Sequence, residues 1–484
     1  MRSGVKFITF FVLIFVLLVI TACGGDKDET DSDGKVTLKI SDWSDSVKDI
    51  REEFHKKFME KHPNIEIEYT QLTADQFKNT ILTSIQSGEA PDLFPVPNGM
   101  ELSTVVEDGW YQSIDPYIGD DFKDLFVDGA LRKTTIDGKL YAVPEAKEMP
   151  DGLVFYNKEL FEKVGLDPEN PPKTYAEFRE AAKKITEEGN GDFYGMIEGG
   201  KQTIRWQQIV RNWASLAGSG INKTSPINMA TGEPGYDAEP VTGVYNLIDS
   251  LVDDGSFHPK TMSISAPEAR DLFAQGQAGF LVQGAWSIGV WKNENPDLDF
   301  GVMSPPLPES GRKGSLPIKN PKPWLGIYSN SEHPEEAALY LEELYGGDYF
   351  QKARAKKGDS FSVVKGIDEE YIEIQELLDF KAIVDEYGAL VPDPIVRNPD
   401  TSAVFAEYND VFPNFGDIMG SLVSGSIEDA EKSLEDYSNK IDDALSEAIK
   451  KAQDKGNDVS KSDFEFTNWN LMEDYTIEEY DKLN

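Results

Sequence analysis

Residues able to do chemistry are abundant in one kind here and scarce in every other: 87 of 484 residues are Asp or Glu, against 4 His and 1 Cys. The histidines (His55, His62, His258, His333) are scattered and three of them precede proline, so no histidine-based metal site or nucleophile relay can be read. The chain contains no G-x-x-x-x-G-K-[ST], no G-x-S-x-G and no H-E-x-x-H. The one loop resembling a calcium site, EEGNGDFYGMIEGG, places Glu188, Asn190 and Asp192 at its first, third and fifth positions. It then offers Phe193 where a turn needs glycine, and Gly199 where a bidentate glutamate should close the shell. Neither a metal nor a cofactor is expected. Carboxylates are so numerous that some pair must lie within glycosidase distance, so their abundance singles out no general acid and base.

Tryptophans are more informative. Burying one removes roughly 150–250 Å² from water, so a core position is the default. Trp213, beside Ile209 and Leu216, reads as core; Trp206, seven residues earlier beside Arg205 and Gln207, can face either core or ligand. Trp43 and Trp286 each follow a strand-like run and sit among small and polar residues, as expected of the crevice at the carboxyl ends of strands in an open α/β sheet. Trp324 lies in PKPWLGIYS. Flat indole faces suit the apolar face of a pyranose, while side chains such as Asn98, Glu145 and Gln283 can satisfy its hydroxyls.

The elements that must position these residues follow from periodicity. Val36 to Ile40 alternates apolar and polar; Ser46 with Asp49 caps a helix carrying Ile50, Phe54 and Phe58, closed by Pro63. Ile65 to Tyr69 alternates again, Thr73 with Gln76 caps a helix carrying Phe77, Ile81 and Ile85, and Leu93-Phe94 is a short strand. This β-α-β-α-β order implies an α/β lobe with a largely parallel sheet. Later, Thr174 with Glu177 forms a capping box, Pro334 starts a helix with Ala337, Ala338, Leu341 and Leu344 inward, and residues 426–456 form one long amphipathic helix carrying Leu434, Tyr437, Ile441, Leu445 and Ala448. No repeat of fixed period is present, and two α/β lobes are expected.

The termini and the charge bound the setting. Arg2 and Lys6 precede an apolar run from Phe7 to Ile20, too short to span a bilayer as a helix and suited to an export signal. Ile20-Thr21-Ala22-Cys23 resembles a lipobox, so Cys23 is expected to carry lipid after residues 1–22 are removed. Residues 23–35 read as an acidic, flexible tether. The net charge of −40 disfavours nucleic acid and anionic lipid as partners.

The ordered series SGEAPDLF (87–94), DGKLYAVPEAKEMPDGLVFYNKELFEKVGL (137–166), PKTYAEFREAAKKIT (172–186), LFAQGQAGFLVQGAW (272–286), GVMSPPLPE (301–309) and PEEAALYLEEL (334–344) resembles the family 1 extracellular solute-binding proteins, the maltodextrin-binding-like receptors of ABC importers. The resemblance implies a two-lobed periplasmic-binding-protein-like α/β fold (type II), with mixed sheets and a ligand cleft between lobes. It places the N-terminal lobe at 36–145 and 305–355, the C-terminal lobe at 150–300 and 365–455, and a tail at 456–484. Crossings would lie at YAVPEAKEMPDGLVFYNK, GVMSPPLP and near 355–364. Ligand contacts would come from Trp43, Ser44 and Asp45, from the loop Pro95–Gly99 with Asn98, and from Glu145, Gln283 and Trp286. One departure stands out: the loop after PDLF is Pro-Val-Pro-Asn-Gly, without aromatic or acid, which shifts the platform to Trp324 or Trp206 or changes the ligand.

The function so implied is a monomeric receptor, lipid-anchored through Cys23 outside the cytoplasmic membrane of a Gram-positive bacterium. It would capture a carbohydrate, a neutral oligosaccharide, for the membrane permease of an ABC importer, with no bond made or broken. The competing readings are the same fold binding a peptide or polyamine, an anchored glycoside hydrolase, and a surface scaffold without a small ligand.

Overall fold

The protein is described here by a computed structural model covering residues 35–44, 47–72, 74–97, 100–358, 360–427 and 429–483. The export signal, Cys23 and nearly all of the tether lie outside the described residues, as do Asp45, Asn98 and the expected caps Ser46 and Thr73.

Two sheets organise the chain. The first has the spatial order Ile65–Gln71, Val36–Asp42, Leu93–Pro95, Pro323–Ile327, Ala142–Pro144. Its first three strands are parallel, with Val36 opposite Ile65 and Ile40 opposite Leu93. The β-α-β-α-β order predicts these three. The strand Pro323–Ile327, arriving from far along the chain, then pairs antiparallel to both of its neighbours. The helix Lys48–Lys61 buries Ile50, Phe54 and Phe58 as its spacing predicts, and packs Phe54 edge-on against Tyr340 and Phe350 of the helices Pro334–Gly346 and Phe350–Lys357.

The second sheet runs Phe300–Met303, Leu153–Asn157, Ala278–Gln283, Tyr194–Ile197, with only the last pair parallel. Every residue of Leu153–Asn157 and of Ala278–Gln283 is buried, which explains why these strands read as continuous rather than alternating apolar runs. Thr174 and Glu177 form the reciprocal capping box of the helix Tyr175–Gly189. Further on, the long helix Ala430–Asp454 buries Leu434, Tyr437, Ile441, Leu445 and Ala448 in the same core as Trp213. In the failed calcium loop, Asn190 and Gly191 take positive φ and simply end the helix. Among the described residues no group of three or more His, Cys, Asp or Glu is arranged to hold a metal, and no helix is long and apolar enough to cross a membrane.

The chain passes between the sheets at Glu145–Gly152 and again between Met303 and Pro323. A third passage follows the helix Phe350–Lys357: Lys147 N–H donates to Phe361 O at 2.9 Å, and the helix Gln375–Tyr387 sets Phe380 against Phe361 and Phe155. A two-stranded ladder, Leu316–Ile318 with Gly388–Leu390, braces the second passage. The tail adds a small core of its own, Phe466, Tyr475 and Tyr480 around Met229, and is pinned to that brace by Tyr475 N–H to Leu390 O at 2.8 Å.

Candidate functional site between the two sheets

At the carboxyl end of Val36–Asp42 the backbone delivers Asp42, fully buried, to a charge cluster. Arg51 Nε lies 2.9 Å from its carboxylate, the Tyr69 hydroxyl donates to it at 2.8 Å, and Ser44 N–H donates at 3.0 Å. Arg51 Nη2 donates to Glu145 Oε1 at 2.5 Å. Burial opposes the Arg51 charge, but the carboxylates of Asp42 and Glu145 outweigh it and hold the guanidinium pKa well above its ordinary value. Glu145 also accepts from Ser44 Oγ at 3.2 Å, and its backbone carbonyl accepts from Arg354 at 3.0 Å. Both of its carboxylate oxygens are thus engaged within the protein. The residue expected to meet a ligand hydroxyl instead joins the first strand, the first helix and the first passage into one rigid corner.

Directly after Asp42, Trp43 is half-buried, edge-on to Phe77 and to Trp324 with ring centroids 4.6 Å apart in each case. Trp324 sits at the start of the inserted antiparallel strand, and its Nε1 has no hydrogen-bond partner. Sequence spacing brings neither tryptophan near the other; the late strand does.

In the second sheet, the parallel strands Tyr194–Ile197 and Ala278–Gln283 end side by side. Glu198, fully buried, accepts from Gly199 N–H at 2.8 Å and Arg205 Nε at 3.1 Å, while its Oε2 is unpartnered. Arg205 also donates to Val282 O, tying the two strand ends together. Gln283, 1% exposed, accepts a long hydrogen bond from Ser287 Oγ at 3.4 Å and leaves Nε2 without a partner. Trp286 opens the next helix and is 44% exposed, a large apolar surface held in solvent. Trp206 is 0% exposed, with its ring 5.8 Å from Phe257 inside the second core. Its helix turns that position inward, away from the strand ends where Arg205 points, so of its two possible settings the fold gives it the core.

The passages between the sheets, with the segments paired to them, carry a polar floor. Glu148 pairs with Lys319 at 3.3 Å and Lys322 at 3.7 Å; Asp151 pairs with Lys223 and accepts from Asn212 at 3.0 Å; Lys133 pairs with Asp393 at 3.1 Å. Burial alone would raise the Glu148 and Asp151 carboxyls, yet the lysines hold both below the ordinary range. For Glu101, burial prevails and pushes the carboxyl up, Asp393 adding to it while Lys133 and Lys322 oppose.

The geometry thus brings Trp43, Glu145 and Trp324 to the strand ends of the first sheet and Gln283 and Trp286 to those of the second, and withdraws Trp206. Sequence reasoning missed Arg51, Glu198 and the lysine floor. Arg51 carried a signal, since it lies one turn before Phe54 and shares the buried face of its helix. The lysines carried none, being far apart in sequence and ordinary one by one.

The family described as bacterial extracellular solute-binding protein matches residues 42–349. A Brucella abortus protein named as a binding protein is 27% identical over 325 residues, covering 67% of this chain and 75% of its own. The galactooligosaccharide-binding protein of Bacillus subtilis is 23% identical over 355 residues, covering 70% and 77%. Among solved structures, the GacH receptor of Streptomyces glaucescens, determined unliganded and in complex with acarbose, superposes with a TM-score of 0.63 at 20% identity, over 86% of this chain and 99% of that one.

Proposed function

The chain belongs to the bacterial extracellular solute-binding proteins, and from that premise we propose that it captures an oligosaccharide between its two lobes and delivers it to the permease of an ABC importer. The observation that carries the reading is the gathering of aromatic and polar groups at the strand ends of both sheets. Trp43 and Trp324 stand together at the first, exposed Trp286 and under-partnered Gln283 at the second. Indole faces cover the apolar side of a sugar ring, and the polar floor satisfies its hydroxyls. Relatives with names such as galactooligosaccharide-binding and maltodextrin-binding support the carbohydrate class.

In this reading, residues 36–145 with 305–355 and residues 150–300 with 365–455 act as two jaws around Trp43, Gln283, Trp286 and Trp324. Ligand held by one jaw gains contacts with the other only when they approach, so binding shifts the population toward closure. Glu145 acts behind them by fixing the corner that carries Trp43. Nothing is cleaved: the protein is a monomeric receptor, and Cys23 lipid holds it at the outer face of the membrane.

Thermal-shift screening of the lipid-free mature chain against an oligosaccharide panel, followed by calorimetry on any hit, tests the reading, because a ligand of the folded state raises its stability with the logarithm of concentration. No response to any saccharide refutes it. Mass spectrometry of the native protein tests the anchor, which fails if Cys23 is unmodified.

A further inference from the structure

The polar floor has a composition that a protein of net charge −40 would not place there by chance. Three separate segments supply Lys133, Lys223, and Lys319 with Lys322. The carboxylates among them are Glu148, which serves both Lys319 and Lys322, Asp151, which serves Lys223, and Asp393, which serves Lys133. One carboxylate, Glu148, serves two ammonium groups, Lys319 and Lys322, so the floor holds a cation without a carboxylate of its own. The surplus cation is the loosest one: the Lys322 side chain is 74% exposed and reaches Glu148 at only 3.7 Å. An exposed pair of that kind contributes little, so an incoming anion can take Lys322 over.

A second observation concerns groups without partners. Asn320 Nδ2, Asn222 Nδ2, Trp324 Nε1 and Ser315 Oγ are buried and make no hydrogen bond, and each sits on or beside a segment that supplies the lysines. Amide N–H₂ and indole N–H are donors only. Unused donors on the segments that carry these lysines fit a group that only accepts. A hydroxyl, which must also donate, fits them less well; a carboxylate fits them fully, since its bonds to charged donors are short and roughly twice as strong as neutral ones.

We propose that the oligosaccharide taken by this cleft carries a carboxylate, as a uronic acid oligosaccharide does, and that Lys322 with Lys319 and the Asn320 amide receive it. The proposal rests on the carbohydrate reading above and narrows its ligand class. It departs from the neutral ligand that the tryptophans alone suggest, yet it uses them: a uronate ring presents the same apolar face, with the charge at its edge.

The test is calorimetry on the mature chain with matched pairs of oligosaccharides: galacturonate trimers against galactose trimers, and glucuronate-branched xylo-oligosaccharides against unbranched ones. The expected result is that one uronate-bearing member binds at least 10-fold more tightly than its neutral counterpart. Replacing Lys322 (K322M), a mostly exposed side chain, should then reduce uronate affinity at least 5-fold more than it reduces neutral affinity. Equal or tighter binding of the neutral members overturns the proposal and leaves the carbohydrate reading standing. Unchanged uronate affinity in K322M overturns the assignment of Lys322. Binding of no saccharide of either kind removes both.

Discussion

Replacing Arg51 by methionine should be among the most damaging single changes in the first lobe, and the structure indicates by how much. The guanidinium is wholly buried, 2.9 Å from the Asp42 carboxylate and 2.5 Å from that of Glu145, whose side chains are 0% and 15% exposed. Two unit charges about 4 Å apart interact by about 4 kcal/mol at an effective dielectric of 20. Much of that offsets desolvation, so the pair itself adds little net stability; breaking it from one side is another matter. Without Arg51 the buried Asp42 carboxylate loses its cation and Glu145 keeps only Arg354 at 3.8 Å, a situation that costs about 3–5 kcal/mol. Adding Glu145→Gln to Arg51→Met should then restore about 1–2 kcal/mol, although Glu145→Gln alone destabilises, because in the double variant it removes a stranded charge. Urea denaturation of the mature chain followed by tryptophan fluorescence reports all three variants, with circular dichroism as a second probe to detect separate unfolding of the lobes. A loss below about 1 kcal/mol for Arg51→Met, or a double variant worse than the single by the full cost of Glu145→Gln, would refute the reasoning.

Three further outcomes are expected. His55 is buried beside Arg51, and its pKa is lowered to about 3, so between that value and the ordinary 6.5 the unfolded chain binds a proton the folded one does not. Stability should therefore fall as pH drops below about 6.5, by up to about 1.4 kcal/mol per pH unit from this group, and His55→Gln should flatten the slope in a pH series of urea melts. Trp213→Ala, emptying a fully buried site whose indole N–H donates to Gly152 O at 3.0 Å, should cost about 3–5 kcal/mol, whereas Trp286→Ala should change stability by less than about 0.5 kcal/mol and weaken ligand binding in calorimetry. Gly195→Ala should lower the melting temperature, because a Cβ there would lie 2.3 Å from the Ala182 carbonyl oxygen and force the helix Tyr175–Gly189 off its strand, at about 1–3 kcal/mol.

What the sequence made legible is local. The capping box at Thr174, the inward stripe of the helix Ala430–Asp454 and the three parallel strands at the start all depend on residues within a few positions of one another. Trp213 was legible as core because Ile209 and Leu216 share its helix face. The rest depends on encounters between distant segments. Periodicity cannot announce that Pro323–Ile327 will enter the first sheet and carry Trp324 to Trp43. Nor can the identity of Glu145 reveal that Arg51 and Ser44 will occupy its oxygens. Trp206 was ambiguous for a different reason: its neighbours Arg205 and Gln207 are polar yet buried, so polarity in the sequence did not mark the exposed face.

The inserted strand Pro323–Ile327 also bears on how the chain acquires its structure. It lies between Leu93–Pro95 and Ala142–Pro144, so Ala142–Pro144 cannot join the three parallel strands until this later segment is in place. Such non-local pairing raises contact order and slows folding, leaving apolar strand edges open meanwhile. The second sheet, complete within Leu153–Met303, draws its covering helix Ala430–Asp454 from later still, so neither core can close before the chain is nearly whole.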